Sequence, residues 1–324
     1  LGTGATVMLY DGHPLKQQEI LWDYARDEKI NIFGTSPKYL DTCQKNGLKP
    51  GLSHDLSHLR CILSTGSPLA PDTFDYVYRD VKNDVQLSSI SGGTDIISCF
   101  VLGNPVLPVR RGQLQSRGLG MKVKVFDGQG QPVVGVKGEL VCTVAFVSMP
   151  TGFWNDPQGQ RYHKAYFQRF ENIWCHGDFA ELKPQGGVVI HGRSDTVLNP
   201  GGVRIGTAEI YRVVDQFEEV VESVAVGQKY KGDVRIVLFV TLREGLNLDQ
   251  DLKDRLCQKI RSEETPRHVP SVIRQVPAIP RTISGKIVEL AVRNILYGLP
   301  VENTEALANP ESLSYFSDLA DELA

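Results

Sequence analysis

Strand-like and helix-like segments alternate over residues 1–110, and this alternation limits the fold more than any other feature of the chain. Ala5–Tyr10, Asn31–Phe33, Leu59–Leu63 and Val85–Ile90 are apolar runs of strand type. Between them, residues 17–29 place Leu21, Tyr24 and Ala25 on one helical face, and residues 71–81 read as a second helix. Strands separated by crossover helices predict a parallel α/β sheet. Open sheets of this kind bind ligands beyond the carboxyl ends of their strands. Two small polar loops stand in that place: Ser64-Thr65-Gly66-Ser67-Pro68 and Ser91-Gly92-Gly93-Thr94-Asp95.

The pattern then changes. Residues 111–192 read as a β-rich subdomain, with strands at Met121–Phe126 and Gly138–Thr143 and a hairpin across Lys183–Gly187. Residues 193–300 read as a small α+β unit. There Ile210, Val213, Val214 and Phe217 repeat at helical spacing, followed by strands at Val220–Val226 and Arg235–Leu242 and helical stripes through Leu252–Ile260 and Ile287–Ile295. Residues 301–324 carry carboxylates and no Lys or Arg, and read as an acidic tail, either solvated or loosely docked, or else a partner-binding helix with a weak apolar stripe of Leu313, Phe316, Leu319 and Leu323.

Composition narrows the partners. The formal net charge is −3, with no basic patch, so neither duplex nucleic acid nor an anionic membrane is expected as a partner. No apolar stretch is long enough to span a bilayer. Cysteines at 43, 61, 99, 142, 175 and 257 form no Cys-x-x-Cys pair, which predicts reduced thiols in the cytosol. Small molecules are the expected partners. The chain opens Leu1-Gly2-Thr3-Gly4 with no initiator Met, as a piece of a longer protein does.

Three further strings have chemical character. Trp174-Cys175-His176-Gly177-Asp178 puts a carboxylate after a glycine turn, where it can grip a diol. Gly192-Arg193-Ser194-Asp195, then Asn199-Pro200-Gly201-Gly202-Val203-Arg204 and Glu209, packs two arginines and a glycine-rich loop before a helix. The guanidinium fork suits phosphate. Pro280–Lys286 ends in Ser284-Gly285-Lys286, a lysine on a glycine turn at an expected helix start. The full phosphate-loop pattern is absent because Ile287 follows Lys286. His54 and His58 lack the glutamate of a zinc-protease helix.

In this order, Gly66–Pro68, Thr94-Asp95, Gly138-Glu139-Leu140, His176-Gly177-Asp178, Gly192–Glu209 and Pro280–Lys286 resemble the adenylate-forming superfamily of acyl-CoA synthetases, luciferases and peptide-synthetase adenylation domains. Within it, Asp195–Asn199, Val203–Ile210 and Asn172–Asp178 are similar to the acetyl-CoA synthetase branch. The resemblance implies the carboxy-terminal part of a large AMP-binding domain over residues 1–194, a small mobile domain over 195–300, and the tail. It implies an ATP-dependent acid–CoA ligase using ATP, Mg²⁺ and coenzyme A. Gly92 stands where the branch has a tryptophan closing the acyl pocket, which with Gly93 implies room for a longer acid: acetoacetate first, another short-chain acid otherwise.

The implied roles follow position. Gly66, Ser67 and Pro68 line the adenine. Thr94 touches the α-phosphate, and Asp95, where the family usually has Glu, helps hold Mg²⁺. Asp178 binds the ribose, and Arg193 and Arg204 contact the nucleotide. Asp195 is the hinge. Gly201, Gly202 and Arg261 meet coenzyme A, and Lys286 is the catalytic residue. The family's Ser/Thr/Gly-rich loop ending in lysine is not found between Leu1 and Ala324, so this chain by itself is expected not to form acyl-adenylate. A truncated form with residual nucleotide binding or a scaffolding role is the alternative.

Overall fold

The structure is a computed structural model and describes residues 2–12, 14, 17, 19–283, 285–301 and 303–323. Its first part runs through helix α1 (Ile20–Asp27), strand β1 (Ile32–Thr35), helices α2 (Pro37–Lys45) and α3 (Pro50–Ser53), strand β2 (Cys61–Ser64), helix α4 (Pro71–Tyr76) and strand β3 (Gln86–Ser89). The three strands form a parallel sheet in the order β1-β2-β3, with Phe33 beside Ile62 and Ile62 beside Leu87. That apolar row is buried together with Trp22, Tyr39 and Leu40 of the covering helices. Proline opens α2 and α4, where its missing N–H costs nothing. The helix expected over 71–81 changes type after Tyr76 and continues as a π-helical turn, Val77–Val81. Ala5–Tyr10 is not a strand: it is largely exposed, and among the described residues no strand pairs with it. An extended run becomes a strand only when a second backbone takes up its polar groups.

Ser91–Asp95, expected as a loop, is partly a strand. β4 (Ser91–Gly93), β5 (Ser98–Leu102) and β6 (Ser116–Arg117) pair antiparallel in that order. Gly92 lies at an irregularity opposite Cys99, and a Cβ there would stand 2.1 Å from Ser98 O and 2.7 Å from Cys99 Cα. The close approach of the β5 backbone therefore requires glycine. A four-stranded antiparallel sheet follows, built from β7 (Val123–Phe126), β8 (Lys137–Cys142), β9 (Trp174–Leu182) and β10 (Val188–Arg193) in the order β10-β9-β8-β7. The predicted hairpin closes with Lys183 N–H on Gly187 O at 2.8 Å. Helix α5 (Gln160–Tyr166) packs on β9, and Tyr166 stacks on Trp174 with ring centroids 3.7 Å apart.

The remaining elements are α6 (Thr207–Val214), β11 (Val220–Tyr230), β12 (Asp233–Leu242), α7 (Gln250–Glu263), β13 (Val272–Gln275), α8 (Glu289–Leu296) and α9 (Leu313–Leu323). The sheet runs β11-β12-β13, its first pair antiparallel and its second parallel. One face is buried by Ile210, Val213 and Val214 of α6 and Leu252, Leu256 and Ile260 of α7. The other face presents Val224, Val226, Val237 and Phe239 to α8 and α9. The acidic segment is thus not a solvated tail over its described residues: Phe316 of α9 is fully buried against Phe239, with centroids 5.0 Å apart. Gln228 and Arg235 donate to the carbonyl of Leu323 at the end of that helix.

The small unit docks on the rest through side chains. Lys38 and Lys45 of α2 donate to the carbonyls of Val221 and Val220, and Lys38 lies 3.7 Å from Glu222. Lys137 of β8 pairs with the buried Glu209 of α6. The six cysteines are free thiols. No helix among the described residues is long and apolar enough to cross a membrane.

Candidate active site

The loops after β2 and β3 are tied together. Ile90 N–H donates to Ser64 O at 2.9 Å, and Thr65 Oγ1 donates to Ile90 O at 3.4 Å. The first loop carries Gly66, Ser67 and Pro68, all exposed. Gly66 has φ of +105° and open space around a Cβ, so its backbone conformation, not crowding, favours glycine. The second loop reaches the long β9 strand: Ser91 Oγ donates to Asp178 Oδ2 at 2.9 Å. The β9–β10 register sets Arg193 opposite Asp178. Its Nη1 lies 3.2 Å from Asp178 Oδ1 and 3.1 Å from His176 O. Between them, Gly177 has φ of +82°, and a Cβ there would stand 2.5 Å from Arg193 Nη2. The glycine lets the guanidinium lie flat on the strand.

Asp178 is buried while Arg193 is about half exposed, so the pair has one foot in solvent and contributes modestly to stability, about 1 kcal/mol or less. His176 is buried, with Nε2 3.9 Å from Asp178 Oδ2 and its ring 4.7 Å from that of Phe100. Thr94 and Asp95 are exposed on the turn between β4 and β5, and the phenol of Tyr166 donates to Asp95 Oδ2. Burial, then this bond to a carboxylate, raises the pKa of the Tyr166 hydroxyl. Deeper in, the carboxylate of Glu139 is fully buried between Arg169 and Ser194 Oγ, the latter at 2.8 Å. Burial and this carboxylate push the Cys175 thiol up to about 12. Arg204 lies over the ring of Phe179 at 4.5 Å, its pKa lowered by burial and by the nearby Arg169. A cavity of about 430 Å³ opens among Tyr166, Arg169, His176, Gly177, Arg193 and Asp195. That size holds a small ligand, and its two arginines suit an anionic one.

Residues 1–150 match the family model for the AMP-binding enzyme, and residues 209–286 match that for the AMP-binding enzyme C-terminal domain. The chain belongs to the AMP-binding enzyme family. It is 58% identical to an acetoacetyl-coenzyme A synthetase of Rhizobium meliloti (strain 1021) over 99% of this chain and 50% of that protein. It is 46% identical to the acetoacetyl-CoA synthetase of Gallus gallus over 99% of this chain and 49% of that one. The chain thus spans about half the length of the curated relatives it matches. The solved acetoacetyl-CoA synthetase from Streptomyces lividans superposes with a TM-score of 0.89 at 40% identity, over 98% of this chain and 49% of its own. An anthranilate CoA ligase shares the fold, with a TM-score of 0.73 at 22% identity over 88% of this chain and 53% of its own.

The remaining expected residues lie elsewhere. Lys286 is not at a helix start, since α8 begins at Glu289. It sits on a turn held by Thr282 N–H on Lys286 O at 2.9 Å and Lys286 N–H on Thr282 Oγ1 at 3.1 Å. Ser284 of that turn lies outside the described residues. The Lys286 side chain is exposed, and among the described residues no hydrogen bond or ion pair joins it to Asp95, Asp178 or Arg193. Gly201 and Gly202 are exposed with φ of +57° and +77°. Gly201 N–H donates to Asp233 Oδ1 at 3.0 Å, and Arg267 Nη1 donates to Gly201 O at 3.1 Å. Arg261, expected beside these glycines, is exposed on α7 with no hydrogen bond to them among the described residues; the arginine that reaches the loop is Arg267.

Sequence reasoning missed Tyr166, Arg169 and Arg267. Tyr166 follows Tyr162 by one helical turn, a signal of packing that says nothing of Asp95. Arg169 is one cation in a mixed polar segment, and Arg267 was overshadowed by Arg261.

Proposed function

We propose that the chain is part of an ATP-dependent ligase that activates acetoacetate as an acyl-adenylate, releasing pyrophosphate, and then passes the acyl group to coenzyme A, releasing AMP. The observation that carries this reading is the Asp178–Arg193 pair beside an arginine-bearing cavity, in a chain 58% identical to an acetoacetyl-coenzyme A synthetase.

In this reading Asp178 exchanges hydrogen bonds for the ribose hydroxyls, oriented by Ser91 and Arg193. Gly66, Ser67 and Pro68 offer backbone to the adenine, and Thr94 offers its hydroxyl to the α-phosphate. Arg193 and Arg204 supply positive charge to the nucleotide. Asp95 is the carboxylate for Mg²⁺, which supplies charge compensation for the phosphates when bound. Asp95 is exposed, one of its oxygens holds Tyr166, and it belongs to no group of three metal-ligating side chains among the described residues. A single carboxylate fits a metal carried mainly by substrate phosphates. The group that does exist, Glu209, Glu264 and His268, is already compensated by Lys137 and Arg212.

Lys286 is the charge that meets the transferring phosphorus during adenylation, an effect worth about 3–4 kcal/mol. In the orientation described, Arg204 faces Phe179 while Lys286 has no bond to the cavity groups. That supports a reading in which the lysine is withdrawn and the Gly201–Arg204 loop is turned toward the site where coenzyme A reacts. Rotation of the small unit, residues 195–300, about Asp195 exchanges the two. Arg267 joins Gly201 and Gly202 as a coenzyme A contact in this scheme, and Arg261 needs a mobile side chain to reach it. The free thiols favour a reducing compartment, the cytosol.

The test is a panel of acetate, acetoacetate and butyrate with ATP and coenzyme A on the whole protein. Acetoacetate is expected to give the highest kcat/KM. No acid-dependent pyrophosphate release would overturn the ligase reading, and preference for another acid would overturn the substrate.

A further inference from the structure

The strand that leaves the β-rich subdomain changes allegiance within three residues. Ser194 belongs to the large part: its N–H donates to Gly177 O at 2.8 Å and its hydroxyl to Glu139 at 2.8 Å. Thr196 bonds more closely to the small part: its hydroxyl donates to Glu289 Oε2 of α8 at 2.7 Å, while its longer bonds, hydroxyl and N–H to Arg193 O, are 3.3 and 3.4 Å. Between them, the carbonyl of Asp195 accepts from Arg293 Nη1, also of α8, at 2.6 Å. Glu289 is about nine-tenths buried, and its second oxygen accepts from the phenol of Tyr211 on α6, which itself accepts from Ala225 N–H of β11 at 3.0 Å. A buried carboxyl with both oxygens hydrogen-bonded to groups on other elements is a rigid junction, because losing either donor leaves a buried oxygen without a partner.

We propose that Glu289 and Arg293 are positioning residues that clamp α8 to the Asp195–Thr196 segment, so that the pivot is confined to the Ser194–Asp195 linkage and the Lys286 turn, three residues before Glu289, moves rigidly with it. This inference rests on the ligase reading. The Gly201–Arg204 loop is held separately, by the Leu198–Ile205 bridge, Asp233 and Arg267. Loosening the clamp therefore misplaces Lys286 more than it misplaces that loop.

The experiment uses the whole protein with Thr196→Val, which keeps shape and removes the hydroxyl, Arg293→Gln on the surface, and Thr196→Ser as rescue. Two quantities are measured: deuterium exchange of the amides at 194–198, and the rates of pyrophosphate release from acid plus ATP and of thioester formation from preformed acyl-adenylate. Thr196→Val and Arg293→Gln are expected to speed exchange about tenfold and to slow pyrophosphate release about 10- to 100-fold, with thioester formation much less affected and Thr196→Ser near wild type. Unchanged exchange in both variants, or equal loss in both half-reactions, would overturn the clamp. If the wild-type protein releases no pyrophosphate, the ligase reading falls, and the exchange measurement still decides whether the clamp exists.

Discussion

Asp178 and Arg193 face each other across β9 and β10 at 3.2 Å, and the second oxygen of Asp178 takes the hydroxyl of Ser91 at 2.9 Å. A carboxylate held this way on a strand keeps one rotamer before any ligand arrives. Arg193→Ala removes the cation and frees the carboxylate to turn; Asp178→Asn removes the charge that holds Arg193 and, in the proposed reading, accepts the ribose hydroxyls. Each is expected to weaken AMP binding about 10- to 100-fold while the protein stays folded. Calorimetric titration of AMP into the whole protein checks this, and unchanged affinity in both variants would move the nucleotide elsewhere.

Lys286 is exposed and carries no structural bond through its side chain among the described residues, so its removal is expected to leave stability alone. Lys286→Ala is predicted to slow acyl-adenylate formation a few hundred-fold, about the worth of one well-placed charge, and to spare thioester formation from preformed acyl-adenylate. Pyrophosphate release and thioester formation are measured separately. Equal loss in both would sink the two-orientation scheme.

At Gly92 the family resemblance and the geometry point in different directions. Resemblance implies that the missing side chain opens room for a longer acid. In the structure the Cβ direction meets the β5 backbone, 2.1 Å from Ser98 O. Gly92→Ala is therefore expected to lose about 1–3 kcal/mol of stability, and Gly92→Trp to unfold or to shift β5 rather than simply gate the pocket. Thermal unfolding with the acid panel decides it: a stable Gly92→Trp protein that prefers acetate would restore the gating role.

What was legible beforehand is what local pattern encodes. The period of Ile210, Val213 and Val214, the turn residues of Lys183–Gly187 and the strand-loop order around Gly66 and Ser91 all lie within one element or its edge. The site's contacts are not local. Ser91 bonds a residue 87 positions later, and Tyr166 bonds one 71 positions earlier, and nothing in either residue's neighbours marks its partner. Glycine is ambiguous for the same reason, since Gly66 answers to backbone conformation and Gly92 to crowding. The segment holding Phe316 looked like a tail because its apolar stripe is sparse; the face of β11 and β12 that receives it is visible only once the sheet is assembled.

Asp215 stands at the carboxyl end of α6, where the helix dipole already disfavours an anion. Burial, then the carboxylate of Asp41 across the interface on α2, raises its pKa from 3.8 to about 6, against the opposing pull of Lys45, Lys38 and Arg281. The sign follows from linkage. A carboxyl whose folded value lies above its unfolded one favours folding while protonated, and that advantage is lost as pH rises through about 6. At neutral pH the ionised group destabilises the docking of α6 on α2, by about 2 kcal/mol once partial solvent contact is allowed for. Asp215→Asn should then raise the unfolding temperature at pH 7.5, raise it less at pH 5.5, and change it little near pH 4. Thermal scans of both proteins across that range test it, and a difference that does not vary with pH would show that folding does not shift the Asp215 carboxyl.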